Sequence, residues 1–179
     1  DVSRAHGLRF AALRYFNAAG ADPDGEIGEE HEPETHLIPN AIKAAIGLGG
    51  PMKLFGADYP TPDGTCLRDY VHVTDLAEAH ILAADRLHEG SGNLQLNLGT
   101  GEGRTVLQVL NAVEKATGRP VPVTIAPRRP GDAVALYADA TKVRETLGWT
   151  PRLSDIDTIV SSAWNFHRKT WAAPKQAAE

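Results

Sequence analysis

Sulfur-containing residues are nearly absent from this sequence of 179 residues, which holds one cysteine, Cys66, and one methionine, Met52. A single thiol excludes an internal disulfide framework and fits a reducing compartment, so we expect a cytoplasmic location. Because Cys66 has no evident base partner in the sequence, we interpret it as a small buried residue. The chain begins at Asp1 and its methionine is internal, so we also expect a natural N-terminal segment before residue 1.

Long apolar runs and a strong positive charge are missing as well. No apolar run approaches the ~20 residues of a membrane span, so no membrane partner is expected. The formal net charge is −5 at pH 7 and the basic residues are scattered, which argues against a nucleic-acid partner. With 42% hydrophobic and 23% charged residues, the chain is long enough for one globular domain with a real core.

Motifs for metal, phosphate-loop and acid-base chemistry are also absent. The seven histidines include no pair spaced four residues apart, so the sequence predicts no metal site. Residues 99–103 are glycine-rich but lack the G-x-G-x-x-G spacing, and no acidic residue ends a strand about 20 residues later. We interpret them as a tight strand-to-helix turn. Since nothing resembles a general acid/base pair, the chain is predicted to hold one half of a site.

What the sequence does contain is an alternation of strand and helix patterns. Strands are predicted at residues 8–15, 53–55, 94–98 and 121–125. Helices are predicted at 37–48, 75–89, 106–117, 141–147 and 154–171, with a surface loop at 18–34 and a frayed tail at 172–179. The alternation predicts an α/β fold with at least one parallel strand pairing.

Two predicted helices begin with capping signals. Thr74 is predicted to be the N-cap of the helix at 75–89, with Asp75 placing negative charge in its first turn. Thr105 and Gln108 match a capping box at the start of the next helix. Val73 and its apolar neighbours at 70 and 71 are expected in the core.

Candidate binding residues close the first predicted strand. In open α/β sheets, ligands lie outside the carboxyl ends of the strands. At this position the ring of Phe16 would wall a flat ligand, and the amide of Asn17 would donate to an anionic oxygen. The alternative is an aromatic core anchor followed by a turn asparagine.

Three arginines are candidate ligands for a diphosphate. Arg128 and Arg129 lie in a loop that ends at Asp132, and Arg68 directly precedes Asp69. A guanidinium group forms paired, charge-assisted hydrogen bonds with phosphate, and a nearby carboxylate orients it or binds a ribose hydroxyl. The alternatives are a solvated basic turn at 128–132 and a structural ion pair between Arg68 and Asp69.

Taken together, these motifs resemble the C-terminal half of the NAD-dependent epimerase/dehydratase family, a group of extended short-chain dehydrogenases/reductases. The similarity runs in order along nearly the whole chain and is most specific from Asp58 to Tyr70. It rests on residues 13–17 (LRYFN), 19–21 (AGA), 25–28 (GEIG), 37–39 (LIP), 54–65 (LFGADYPTPDGT), 68–76 (RDYVHVTDL), 97–99 (NLG) and 128–132 (RRPGD).

The resemblance implies the C-terminal part of a Rossmann-type α/β fold, with the last parallel strands and the smaller substrate-binding domain. Residues 8–17 and about 70–100 would contribute to the Rossmann domain. The family's N-terminal half carries the NAD-binding glycine-rich loop and a Ser/Tyr-x-x-x-Lys acid/base set, which fall outside residues 1–179. We therefore expect no catalytic residue in this chain, an inactive isolated fragment, and a homodimer as the full-length protein.

The resemblance also implies roles for individual residues. Tyr15 and Phe16 would lie near the nicotinamide of NAD, and Asn17, Arg68 and Arg129 would contact the diphosphate of a UDP-sugar. The remaining substrate contacts would be Lys53, Leu54 and Phe55 at the uracil, Asp132 at the uridine ribose, and His36, Leu37 and Leu136 at the hexose.

The implied activity is the interconversion of UDP-glucose and UDP-galactose through a 4-keto intermediate, with NAD as the hydride carrier. His36 stands where an asparagine often reaches the hexose. Leu136 falls where a large aromatic residue restricts the pocket and a small residue admits N-acetylated sugars. Epimerisation of UDP-N-acetylhexosamines or UDP-pentoses therefore stays open, as does a non-catalytic UDP-sugar-binding module.

Overall fold

A computed structural model describes residues 1–171, so the tail predicted at 172–179 lies outside the described residues. The strands are β1 Ala11–Arg14, β2 Asn17–Ala19, β3 Met52–Phe55, β4 Leu67–Arg68, β5 Tyr70–His72, β6 Leu94–Asn97, β7 Arg104–Thr105, β8 Val123–Ala126 and β9 Ala135–Leu136. The helices are α1 Val2–His6, α2 Leu37–Ile46, α3 Val73–His88, α4 Val106–Thr117, α5 Thr141–Leu147 and α6 Ile156–Trp171.

Parallel pairing dominates the strands, as the alternation predicts. Strand β1 pairs with β6, β2 with β5, and β3 with β8, each pair parallel. The short strand β4 lies between an antiparallel β7 and a parallel β9. Because the two strands of a parallel pair end at the same edge of the sheet, the loops that follow the two strands lie side by side.

One core cluster lies among helices α2, α4 and α6. Ile42, Val109, Val113, Ile159 and Val160 are fully buried there. Val109 and Val113 are one helical turn apart on α4, and Ile159 and Val160 are among the buried residues of α6, so these helices turn an apolar face to the cluster. Burying a side chain of this size contributes roughly 1.5–3 kcal/mol, so this cluster is a main source of stability for the packing of α2, α4 and α6.

A second core cluster packs α3 and α5 against β5 and β6. Val71, Leu96, Val143 and Trp149 are almost completely buried in it. The indole Nε1 of Trp149 donates to the carbonyl of Asp75 at 2.9 Å, so its one polar group is satisfied. None of the helices within residues 1–171 combines the length and the hydropathy that crossing a membrane requires.

The start of α3 differs from the prediction. The helix begins at Val73, and the Nδ1 atom of His72 accepts from the backbone N–H of Thr74 at 3.1 Å, so His72 and not Thr74 is the N-cap. Asp75 does lie in the first turn, but it is buried and accepts hydrogen bonds from residues 152–154. Val73 is 36% exposed, so its predicted place in the core was wrong.

Most other predicted elements are present with shifted ends. The capping box of Thr105 and Gln108 is confirmed, and α5 has the predicted bounds. The strand predicted at 8–15 is shorter because Leu8 and Phe10 are exposed, and the predicted loop at 18–34 begins inside β2. Helix α2 ends at the left-handed Gly47, before the predicted stop at 49–51.

Candidate functional site

The ends of β1 and β2 present two aromatic rings to the surface. Tyr15 is 42% exposed and Phe16 is 53% exposed, and both lie between the two strands. This exposure contradicts the alternative in which Phe16 is a core anchor. A large exposed ring beside a strand end is a suitable wall for a flat ligand.

A cavity of about 840 Å³ opens at these strand ends. It is lined mainly by residues 15–22, 27–31 and 36–39, with Tyr70 and His167 at its base. The structure therefore brings together Tyr15, Phe16, Asn17, His36 and Leu37 of the predicted site residues. We call this space the strand-end cavity. Its size falls in the range of small-molecule sites.

Asn17 is held in place by the main chain of the neighbouring strand. Its Nδ2 group donates to the carbonyl oxygen of Asp69 at 2.8 Å, and Asn17 is paired in register with Tyr70. An amide NH2 has two N–H groups, so one donor and the amide oxygen of Asn17 stay available to a ligand. The side chain is thus fixed in orientation and still able to donate.

The carboxylate of Asp69 is a buried hub and not the ion-pair partner of Arg68 that the sequence allowed. Asp69 is 1% exposed. It accepts from the backbone N–H and the hydroxyl of Thr100 at 3.1 and 2.7 Å, and from the backbone N–H groups of Gly101 and Ala138 at 3.3 and 3.1 Å. It therefore joins the loop after β6 to the chain that follows β9.

This hub explains the glycine-rich stretch at residues 99–103. Two of its backbone N–H groups, those of Thr100 and Gly101, donate to the carboxylate of Asp69, and that of Glu102 donates to the hydroxyl of Thr100, so the structure supports the turn interpretation. A Cβ atom on Gly99 would meet Oδ2 of Asp69 at 2.4 Å and the Cβ of Ala138 at 2.5 Å. Only glycine lets the carboxylate approach this closely.

Arg68 pairs with Asp132 instead. Its guanidinium donates to the carboxylate of Asp132 at 2.5 Å and to the carbonyls of Leu67 and Ala133 at 2.7 and 2.9 Å. The two charged side chains are 15% and 22% exposed. These bonds use three of the five N–H groups of an arginine, which leaves two with no partner among the residues described.

A second pair of strand ends supplies the other candidate residues. Strands β3 and β8 run parallel, and the loops that follow them meet where Arg128 donates to the carboxylate of Asp58 at 2.7 Å and covers the ring of Tyr59 at 4.2 Å. Gly56 lies beneath, with φ of 82°. A Cβ there would meet Tyr59 at 2.5 Å and Arg128 at 2.7 Å.

Arg129 lies over the ring of Phe55, with its guanidinium carbon 3.8 Å from the ring centroid. Arg129 has no carboxylate partner within residues 1–171. Because it stacks on Phe55, it is not fully solvated, as the alternative of a solvated basic turn would require. Lys53 is exposed and Leu54 is buried, because neighbouring residues of a strand face opposite sides. The two side chains therefore do not meet one ligand together.

The predicted site residues thus form two groups. The first lines the strand-end cavity. The second, which we call the arginine group, contains Arg68, Arg129 and Asp132, with Leu136 opposite Arg68 in the register of β4 and β9. Asn17 of the first group and Arg68 of the second are linked through Asp69, since Asn17 binds its carbonyl and Arg68 is its chain neighbour. The described contacts do not place the arginine group in the strand-end cavity.

Burial sets the protonation of several groups near the cavity. It lowers the pKa of His167 to about 4, so this histidine is neutral at pH 7. It lowers the pKa of His72 and raises the pKa of Tyr70 and of the Cys66 thiol. Cys66 is buried, as the sequence predicted, and its raised thiol pKa disfavours the reactive thiolate.

Two further residues of the cavity rim, Glu29 and His31, were missed, and they lie beside the predicted residue His36. Glu29, His31 and His36 have their ligating atoms within 4.8 Å of one another. The sequence excluded a metal site on helical spacing, but this group lies in a loop, where no fixed spacing applies. The sequence signal that could have found this group is the occurrence of glutamates and two histidines within residues 29–36.

Comparison with known proteins shows which family this chain belongs to. The model of the NAD dependent epimerase/dehydratase family matches residues 1–99. The chain belongs to this family. UDP-glucose 4-epimerase of Rhizobium meliloti strain 1021 is 55% identical over 169 residues, which cover 94% of this chain and 51% of that protein. The chain spans about half the length of the curated relatives it matches.

Solved structures of the family share the fold. UDP-glucose 4-epimerase from Brucella ovis in complex with NAD is 54% identical with a TM-score of 0.89, covering 93% of this chain and 51% of that one. UDP-glucose 4-epimerase from Bifidobacterium longum in complex with NAD+ and UDP is 44% identical with a TM-score of 0.86, covering 94% and 50%. These similarities confirm the Rossmann-type α/β fold expected from the sequence.

Proposed function

We propose that this chain is the UDP-sugar-binding half of an NAD-dependent enzyme that interconverts UDP-glucose and UDP-galactose. The observation that carries the proposal is the link from Asn17 through Asp69 to Arg68, which joins two candidate diphosphate ligands from different strands through a single residue. The similarity to epimerases solved with NAD and with UDP supports the same assignment.

Binding of the diphosphate falls to Asn17, Arg68 and Arg129. Asn17 offers one amide N–H, and Arg68 offers two N–H groups beside its bond to Asp132. Charge-assisted hydrogen bonds of this kind are about twice as strong as neutral ones. Asp132 fixes the orientation of Arg68, and its carboxylate also suits a ribose hydroxyl. Phe55 lies under the guanidinium of Arg129 and, with Lys53 on the same strand, offers a surface for the uracil ring.

The strand-end cavity is suited to the hexose and the nicotinamide. NAD supplies the acceptor for the hydride of the sugar C4 atom when it is bound. The exposed rings of Tyr15 and Phe16 fit the flat face of a nicotinamide, and His36 and Leu37 line the same cavity and are candidates to contact the hexose. The chain's own contribution is to bind and orient, because binding energy from the remote UDP group holds the substrate while chemistry takes place at C4.

Other parts of the proposal follow from the resemblance. Residues 8–17 and about 70–100 belong with the Rossmann domain, and the acid/base residues come from a part of the enzyme outside this chain. The chain alone is therefore inactive, and the complete enzyme is a cytoplasmic homodimer. A substrate panel that adds UDP-N-acetylglucosamine and a UDP-pentose decides how wide the sugar pocket beside Leu136 is.

Titration of the 179-residue chain with UDP-glucose by calorimetry, with and without NAD, tests the proposal. C4 epimerisation is assayed in the same samples. We expect saturable binding that UDP competes for, without turnover. Binding of UDP-glucose that is unchanged by replacing Arg68 with alanine would count against the assignment, and turnover by the isolated chain would refute the proposed division of labour.

A further inference from the structure

Two histidines and a glutamate converge on the rim of the strand-end cavity. Oε1 of Glu29 lies 3.2 Å from Nε2 of His31 and contacts Nδ1 of His36. The two imidazole rings meet edge to face with centroids 5.0 Å apart. All three ligating atoms fall within 4.8 Å of one another, so one small cation placed between them would contact all three.

The loop that carries these side chains is held by Glu34. The Glu34 side chain is 3% exposed, and its Oε1 accepts from the backbone N–H groups of Thr35 and His36, both at 2.8 Å. Asn40 of helix α2 donates to the Glu34 carbonyl at 3.3 Å. These contacts fix the backbone of His36 at the start of α2, so one imidazole ligand is oriented before any cation arrives.

The donor set selects the kind of cation. Two imidazole nitrogens and one carboxylate oxygen suit Zn²⁺, whereas Mg²⁺ and Ca²⁺ prefer oxygen ligands. Around a tetrahedral zinc with bonds of about 2.0–2.1 Å, neighbouring ligand atoms lie roughly 3.3–3.5 Å apart. The separation of 3.2 Å between Glu29 and His31 is close to this value, whereas the contact between Glu29 and His36 is shorter and has to lengthen when a zinc ion is bound.

The surroundings are acidic, which also favours a cation. The same segment contains Glu30, Glu32 and Glu34, and a cleft of about 260 Å³ beside the group is lined by these glutamates with Lys43 as the basic residue. Clustered carboxylates raise the local concentration of cations. The alternative is an ion-pair cluster in which Oε1 of Glu29 accepts from both imidazoles and Nδ1 of His36 also lies 3.2 Å from Oε1 of Glu34. Zinc titration separates the two.

We propose that Glu29, His31 and His36 form a Zn²⁺ site with an open fourth position at the rim of the strand-end cavity. His36 also lines the cavity that we assign to the hexose, so zinc binding and sugar binding are mutually exclusive at this side chain. The zinc site stands on the geometry of the three ligands alone. The competition with UDP-sugar rests, in addition, on the proposed function.

The test is a titration of the untagged 179-residue chain with ZnCl2, followed by competition with a chromophoric chelator in the absence of any nucleotide sugar. We expect one zinc per chain. Outer-shell contacts of metal sites already contribute about 10–100-fold to affinity, so the loss of a ligand in Glu29→Gln, His31→Asn or His36→Asn weakens binding at least about tenfold.

Two control variants match the chemistry of these substitutions. Glu145→Gln removes an exposed carboxylate on α5, away from the site, and His88→Gln removes an exposed histidine at the end of α3. Both leave zinc affinity unchanged if the site is the one proposed. A double variant of His31 and His36 that binds zinc as tightly as the parent overturns the site, and so does the absence of stoichiometric binding by the parent chain.

X-ray absorption at the zinc edge gives a readout independent of affinity. It should show nitrogen and oxygen neighbours at about 2.0–2.1 Å, and a sulfur shell would move the ion to Cys66 and overturn the proposal. UDP-glucose affinity is measured last, with and without zinc. Zinc binding without an effect on UDP-glucose would refute the competition and leave the site intact, whereas absent UDP-glucose binding would bear only on the proposed function.

Discussion

Replacing Asp69 with asparagine should destabilise the fold far more than a change of one atom suggests. The carboxylate is 1% exposed and accepts from four donors, namely two on Thr100 and one each on Gly101 and Ala138. An amide keeps the shape but presents an NH2 group on one side. Whichever way the amide turns, that NH2 group faces at least one backbone N–H that is partly or fully buried.

The magnitude follows from what is left unpaired. One buried N–H without an acceptor costs about 1–3 kcal/mol, and the bonds that remain lose their charge assistance. Asp69→Ala would forfeit all four, at about 1.5–3 kcal/mol each, which approaches the whole stability of a domain at about 5–15 kcal/mol. Asparagine is therefore the informative variant, because alanine is expected not to fold.

Urea unfolding monitored by tryptophan fluorescence and by circular dichroism measures this loss. Asp85→Asn is the matched control, since Asp85 is exposed on α3 and surface substitutions usually stay within about 0.5 kcal/mol. We expect Asp69→Asn to lower the free energy of unfolding by at least about 1–3 kcal/mol. A loss no larger than that of the control would refute the view that Asp69 joins the loops after β6 and β9.

Three further outcomes are expected. Arg68→Lys should weaken UDP-glucose binding by about tenfold or more in calorimetry, because an ammonium group cannot reproduce the fork geometry of a guanidinium. The control Arg119→Lys, on the exposed turn after α4, should not. Equal affinities of the two variants for UDP-glucose would contradict the assignment of Arg68. Gly56→Ala should cost about 1–3 kcal/mol in urea unfolding, since φ is 82° and the new Cβ meets Tyr59 at 2.5 Å; a neutral effect would contradict the tight packing. Burial lowers the pKa of His167 from 6.5 to about 4, so the neutral ring contributes up to about 3 kcal/mol to the free energy of unfolding above pH 6.5, and this contribution is lost as the pH falls towards 4. Between pH 6.5 and 4 the parent should therefore lose more stability in urea unfolding than His167→Gln. Identical pH profiles of the two proteins would count against this role of His167.

Local patterns were enough to predict most of the long elements. Apolar periodicity and capping residues are properties of neighbouring positions, so α4 with its Thr105 cap and α5 were found with little error. The two-residue strands β4, β7 and β9 were not found, because they exist only through pairing between distant segments. His72 was missed as an N-cap because histidine is not among the preferred capping residues.

The site divides in the same way. The strand-end rule pointed to Phe16 and Asn17, and the structure places both at the cavity. The alternative in which Arg68 pairs with Asp69, the nearest carboxylate in sequence, is contradicted, since its partner is Asp132, 64 positions away. Sequence proximity says little about pairing when adjacent residues of an extended chain face opposite sides.

Because their side chains face opposite sides, Arg68 and Asp69 have different roles. Arg68 turns towards Asp132 and the candidate diphosphate site, while Asp69 turns into the interior and holds two loops. The carbonyl of Asp69 meanwhile orients Asn17, so these two neighbouring residues provide one of the three candidate phosphate ligands and orient a second. Binding and stability are therefore separable at this point of the chain. A change at Arg68 acts first on affinity, and a change at Asp69 acts first on the free energy of unfolding and reaches affinity only through the segment that it supports.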